Sequence, residues 1–140
     1  MADARRLARL ARVREVERRR AAEQAAASGG HHDRLRALAE RSEDLASSYA
    51  RRGDACDGAT LAGLFGFRRE MAALSARAAG DAQLAGLQAD QARLALSAAQ
   101  RRRDLVGERL EREKHDADKR HNAADPVLAR SLNRRGDTRS

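Results

Sequence analysis

Four histidines, one cysteine and a scatter of carboxylates are the residues of this chain with the chemistry to hold a metal or move a proton. His31-His32-Asp33 and His115-x5-His121 are the two fragments in which metal-ligating types lie close together. Two imidazoles reach one ion from a helix face when they stand four residues apart. Neither fragment has that spacing, and Cys56 has no second thiol to assist it, so the histidines read as solvent-exposed. Cys56 also lacks a neighbouring base or cation cluster that would make it a nucleophile. Glu40, Glu43, Glu108 and Glu111 are interleaved with arginine at helical spacing, the pattern of solvated faces with ion-pair support. A general acid/base pair needs an enclosed pocket, which two helices do not supply. No glycine-rich loop runs into Lys-Ser or Lys-Thr, so a phosphate cradle is missing as well. The residues therefore predict no enzyme, no metal and no cofactor.

The elements that carry these side chains follow from composition. Of 140 residues, 32 are Ala, while Tyr occurs once, Phe twice and Trp and Ile not at all. Such a chain has little material for a thick core, and 36% charge suits long helices joined along narrow seams. Ala, Leu, Arg, Glu and Gln are strong helix formers, whereas the β-branched and aromatic runs of a sheet are absent. The predicted fold is all-α, a long two-helix antiparallel coiled-coil hairpin over residues 1–125, with a turn near 53–60 and a flexible basic tail at 126–140. Lone Cys56 suits a reducing compartment. The charged start at Asp3, Arg5 and Arg6 and the lack of a long apolar run predict neither a signal peptide nor a membrane span. A cytoplasmic chain is expected.

The first helix is expected from about Asp3 to Arg52. Leu7, Leu10, Val13 and Val16 form an apolar stripe, and Leu35, Leu38, Ser42, Leu45 and Tyr49 continue it in steps of three and four. Gly29-Gly30 interrupts the pattern at a cost of about 2 kcal/mol against alanine, which predicts a kink or frayed turn with resumption at Asp33, or else a full break. Arg52-Gly-Asp-Ala-Cys-Asp-Gly58 is the turn, with Thr60 as a candidate cap. On the second helix Leu64, Phe67, Met71, Leu74 and Ala78 form the seam. It slips near Gly80 and resumes as Leu84, Leu87, Gln91, Leu94, Ala98 and Leu105. Pro126 ends or kinks this helix.

A turn centred near Asp57 brings together residues whose numbers total about 115, so Leu10 is expected to meet Leu105, Leu45 to lie near Met71, and Leu38 near Ala78. The paired arm would be on the order of 75 Å long. Charge gathers at the chain ends: residues 1–20 hold eight arginines against three acids, and residues 101–140 hold twelve basic residues against eight acids. The middle is close to neutral. Those basic ends could bind phosphate through Arg5, Arg6, Arg9, Arg12, Arg14 and Arg18 to Arg20. They lack aromatics for base stacking, and acids interrupt them. A membrane surface, an acidic protein opening, or plain solvation are the other readings. Near the turn, Leu61, Leu64, Phe65, Phe67 and Met71 crowd together opposite Tyr49. Phe65 and Phe67 point in different directions, so one of them should stay partly exposed, as local packing or as an apolar docking patch.

Leu7-Ala-Arg-Leu10-Ala-Arg-Val13-Arg-Glu15, the stripe Leu38…Leu45…Tyr49 and Phe67…Met71…Leu74 after the turn resemble the FliJ family of the bacterial flagellar type III export apparatus. The resemblance implies a stalk-like antiparallel coiled coil. Such a protein couples the hexameric export ATPase to the membrane export-gate protein, assists export chaperones and works at the cytoplasmic face of the inner membrane at the flagellar base. By position it implies an export-gate surface at Leu38, Leu45, Tyr49, Phe67, Met71 and Leu74. It also implies an ATPase-ring contact at Arg5, Arg6, Arg9, Arg12, Arg101, Arg102 and Arg109. Ser42 stands where an apolar residue is expected, and Gly29-Gly30 and Pro126 also depart from the family's pattern. The sibling reading is the stalk of a virulence type III secretion system. From other classes come a basic coiled coil that binds nucleic acid and a self-assembling structural coiled coil; no nucleic acid is expected as a partner.

Overall fold

The computed structural model describes residues 2–51 and 57–124. Over them the chain is all-α: helix α1 spans Ala2–Arg51, helix α2 spans Gly58–Ala124, and the two long helices pack against each other as an antiparallel hairpin with no strand among the described residues. Of the turn expected near 53–60, residues 53–56, including Cys56, lie outside the described residues, as do Pro126 and the tail 126–140, whereas residues 58–60 belong to α2 and so shorten the expected turn. The start of α2 is set by Asp57 rather than Thr60. The Asp57 carboxylate accepts a 2.8 Å hydrogen bond from the Thr60 backbone N–H, and the Leu61 N–H donates to the Asp57 carbonyl at 2.9 Å. This satisfies donors that a helix start otherwise leaves open.

The interruption expected at Gly29-Gly30 does not occur. Helix α1 runs through both glycines, and neither adopts a positive φ. The backbone keeps helical geometry because residues on either side hold the same seam. Ser28 and His32 stay in step with Ala21 and Ala25 before them and with Leu35 and Ala39 after, all at least half-buried on one face. Tertiary packing outweighs the local propensity cost of two glycines.

The chain forms two compact units, Met1–Arg18 with Ala99–Ser140, and Arg19–Ala98. In the second unit the seam is built from alanine. Ala78, Ala82, Ala85, Ala89 and Ala92 are its buried hydrophobic residues, with Ala85 4% and Ala89 1% exposed. They continue Leu64 and Met71 at an unbroken seven-residue spacing, so the slip expected near Gly80 is absent. The leucines assigned to the seam beyond it point elsewhere: Leu84, Leu87 and Leu94 are 62%, 63% and 70% exposed. At 100° per residue they lie roughly opposite the alanine seam. On α1 the seam is Ala25, Ser28, His32, Leu35, Ala39, Ser42 and Ala46, while Leu38 and Leu45 sit exposed on its flank. Small side chains let the two backbones approach closely, and a leucine at the same level would hold them apart.

That close approach has a local signature. A Cβ built on Gly86 would stand 3.2 Å from His32 Nε2, so the glycine makes room for the imidazole. Ser75 Oγ donates across the seam to the Ala39 carbonyl at 3.2 Å, and buried Ser42 turns its hydroxyl back onto the Leu38 carbonyl at 2.8 Å. The facing pairs His32 with Gly86, Ala39 with Ser75 and Tyr49 with Phe67 agree with the expected register.

In the first unit the seam is more polar. Leu7, Ala11, Arg14 and Arg18 on α1 accompany Ala99, Val106 and Leu110 on α2. Leu10 and Leu105, expected to meet, are both exposed, as are Val13 and Val16. Their spacing puts them beside the seam rather than in it, because Leu7, Arg14 and Ala11, Arg18 hold the seven-residue positions.

Candidate partner-binding surfaces

The basic surface belongs to the first unit. Its described residues carry fourteen basic against nine acidic side chains. Arg5, Arg6, Arg9, Arg12, Arg101, Arg102 and Arg109 are all exposed, and none forms an ion pair among the described residues. Six of the unit's nine described acids are engaged with other cations, and Asp3, Asp116 and Asp118 form no ion pair among the described residues. Glu15 takes two hydrogen bonds from Arg18, 3.1 Å at Nε and 2.9 Å at Nη2, and stands 3.9 Å from Arg103 of α2. Glu17 pairs with Arg14 at 2.8 Å, Glu108 with Arg112 at 3.3 Å and Glu111 with Lys114 at 2.8 Å. The Glu15 hydrogen bond and charge raise the Arg18 pKa above its ordinary value, so that guanidinium stays charged. The seven arginines thus stand outside the unit's ion pairs, although Asp3 and Asp116 line one groove with Arg6 and Arg109, and screening by salt is the main limit on the reach of their charge.

Arg14 was a member of the expected phosphate-binding stripe, yet it lies on the seam, half-buried, with its Nε lacking an acceptor. Arg18 is half-buried beside it. Their seven-residue spacing with Leu7 and Ala11 was the signal for this placement.

The apolar surface belongs to the second unit. Tyr49 and Phe67 meet edge to face with ring centroids 4.7 Å apart at 61°, an arrangement favoured by the ring quadrupoles. Both rings and Met71 are half-buried, whereas Leu38, Leu45 and Leu74 are exposed. Leu38 and Leu45 on α1, and Phe67 and Leu74 on α2, repeat at seven residues and flank the seam on the same side, since that heptad position faces its counterpart in an antiparallel pair. The six residues thus divide into a half-buried base and an exposed leucine rim. Phe65 is 59% exposed while Phe67 is not, as their directions on the helix require. On the other flank lies a shallow groove lined by Ala46, Ser47 and Ala50 of α1 and Arg68, Ala72 and Ala76 of α2.

His31, His115 and His121 are exposed as expected, but His32 is not. It occupies the seam against Gly86, with Asp33 4.0 Å from its Nδ1. Among the described residues no three of His, Cys, Asp and Glu come together as a metal site. Arg36 and Glu40 pair at 3.6 Å on the outer face of α1, in keeping with a solvated stripe. Among the described residues no helix is long and apolar enough to cross a membrane.

No family model matches this chain, and no curated protein and no solved structure shows significant similarity to it.

Proposed function

We propose that this chain is a stalk-like component of the bacterial flagellar type III export apparatus, coupling the hexameric export ATPase to the membrane export gate and assisting export chaperones. The observation that carries the reading is the first unit, in which seven exposed arginines from both helices have no acidic partner. A surface of that kind suits insertion into an acidic protein opening, with electrostatic steering of the encounter. The flank of Leu38, Leu45 and Leu74 over the Tyr49–Phe67 pair supports a separate apolar contact, for which the export-gate protein is the proposed partner. The site of action is the cytoplasmic face of the inner membrane at the flagellar base.

The test is steady-state ATP hydrolysis by the export ATPase of the same organism, with and without the chain, across a salt series. Stimulation that saturates near one chain per hexamer, and that falls when Arg9 and Arg12 are reversed to Glu, is expected. Absence of both binding and stimulation would sink the reading. A steep loss of nucleic-acid affinity with salt would replace it with phosphate binding.

A further inference from the structure

In the first unit every exposed position of α1 from Arg5 to Arg18 is an arginine or an aliphatic residue: Arg5, Arg6, Arg9 and Arg12, with Leu10, Val13 and Val16. The two acids of that stretch, Glu15 and Glu17, are half-buried and paired with Arg18 and Arg14. The two exposed types interleave in a regular way. Arg6, Arg9 and Arg12 stand four residues before Leu10, Val13 and Val16, so each aliphatic has a guanidinium about one helical turn away. The aliphatics are 38%, 53% and 47% exposed and adjoin one another at three-residue steps. Leu10 precedes the seam residue Ala11 as Arg109 precedes Leu110, so Leu10, Arg109 and Arg102, seven residues earlier, flank the seam on one side. Asp3 and Asp116 share a groove with Arg6 and Arg109 at one end of this face, and Arg9 and Arg12 stand clear of it. The outward side of α2 in the same unit differs: Asp104, Glu108 and Glu111 are exposed there beside Arg101 and Arg112. The basic surface of the unit is therefore one-sided.

We infer that this face of α1 docks on a membrane surface bearing anionic lipid headgroups. The guanidiniums take the lipid phosphates, and Leu10, Val13 and Val16 enter the boundary between headgroups and acyl chains. Arginine suits that arrangement, since its apolar stem packs along a neighbouring aliphatic while the charged head stays at the phosphate level. Three features select lipid. A membrane presents a charged plane, which matches a basic face confined to one side of the unit. It also supplies an apolar layer for the three aliphatics, which the phosphates of a nucleic acid do not. Base stacking has no support here, because Tyr49, Phe65 and Phe67, the chain's aromatic residues, all lie in the second unit. The inference does not rest on the export reading. Both contacts would use Arg5, Arg6, Arg9 and Arg12, so lipid and an acidic protein exclude each other at this face.

Vesicle flotation of the full chain tests it, with phosphatidylcholine alone and with about one-third phosphatidylglycerol added. The chain should float with the anionic vesicles and not with the neutral ones. Each guanidinium near the surface contributes about fivefold, so Arg9→Gln with Arg12→Gln should weaken binding about 30-fold. Leu10→Gln with Val13→Gln and Val16→Gln should weaken it about tenfold or more, while binding to a single-stranded DNA oligonucleotide stays unchanged. Helical circular dichroism should be unchanged in both variants, because all five side chains are exposed. An environment-sensitive fluorophore on Val13→Cys, in a Cys56→Ser background, should shift to the blue on anionic vesicles. Absence of flotation, or equal flotation with neutral vesicles, would overturn the proposal and leave the export reading to its own assay, which contains no lipid. Flotation indifferent to the three aliphatic replacements would overturn it too, as would equal affinity for the oligonucleotide; both results assign the face to phosphate at large.

Discussion

Two substitutions two residues apart separate the alanine seam from the leucine stripe. Ala85 is 4% exposed and Leu87 63% exposed on the same helix. Alanine and leucine have nearly equal helix propensity, so exchanging them leaves the backbone preference almost unchanged. Ala85→Leu forces an isobutyl group between two closely packed backbones, and overpacking of that kind costs about 1–3 kcal/mol. Leu87→Ala removes a side chain that is mostly in water, which is expected to change stability by no more than about 0.5 kcal/mol. For a domain of this length about 1 kcal/mol corresponds to about 3 °C in Tm. Thermal unfolding followed by circular dichroism should therefore show Tm lowered by about 3–9 °C for Ala85→Leu and by less than about 2 °C for Leu87→Ala. If leucine were the core residue, Leu87→Ala would cost about 2–5 kcal/mol, or about 6–15 °C. A drop of that size, or a neutral Ala85→Leu, would refute the seam assignment.

Other expectations follow from single contacts. Gly29→Ala and Gly30→Ala should each stabilise the chain by about 1 kcal/mol in urea unfolding, since a Cβ at Gly29 meets nothing within 4 Å and one at Gly30 meets only the Arg34 side chain at 3.6 Å. Gly86→Ala should forfeit that gain against His32, and the double variant with His32→Ala should recover it; simple additivity would remove the steric account. The Asp57 carboxylate, hydrogen-bonded by Thr60, has its pKa held below the ordinary value. Its contribution is therefore present above the unfolded value of about 3.9 and lost as pH falls through the lower folded value. Asp57→Ala should accordingly matter at neutral pH and cease to matter in acid, while Asp57→Asn keeps a neutral acceptor; a pH-independent effect of Asp57→Ala would contradict this. Arg14→Leu should raise Tm, because it replaces a buried Nε that has no acceptor with an apolar group on the seam.

The helices, their antiparallel pairing and their register were legible because composition and a three-four spacing suffice to specify them. The identity of the seam was not, and the reason is physical. Leucine is the residue a helix is expected to bury, since its transfer free energy exceeds that of alanine. In a chain with this much alanine, the strict seven-residue series Met71, Ala78, Ala85, Ala92 allows a closer helix approach than leucine permits, and close approach brings many weak contacts into range. Leu84, Leu87 and Leu94 keep three-four steps among themselves, but about half a turn away, so the slip read at Gly80 was a change of face along an unslipped helix. The same substitution of phase for size explains Leu10, Val13, Leu38 and Leu45, all exposed beside a seam of smaller or polar residues. It also explains why the interaction surfaces were only partly visible. The free arginines and the aromatic pair announce themselves by type, whereas Leu10, Val13 and Val16 join the arginine face of α1 only once Leu7, Ala11 and Arg14 are seen to hold the seam. Burial that selects small side chains leaves the large ones outside, and a helix so arranged has apolar area remaining for a second contact.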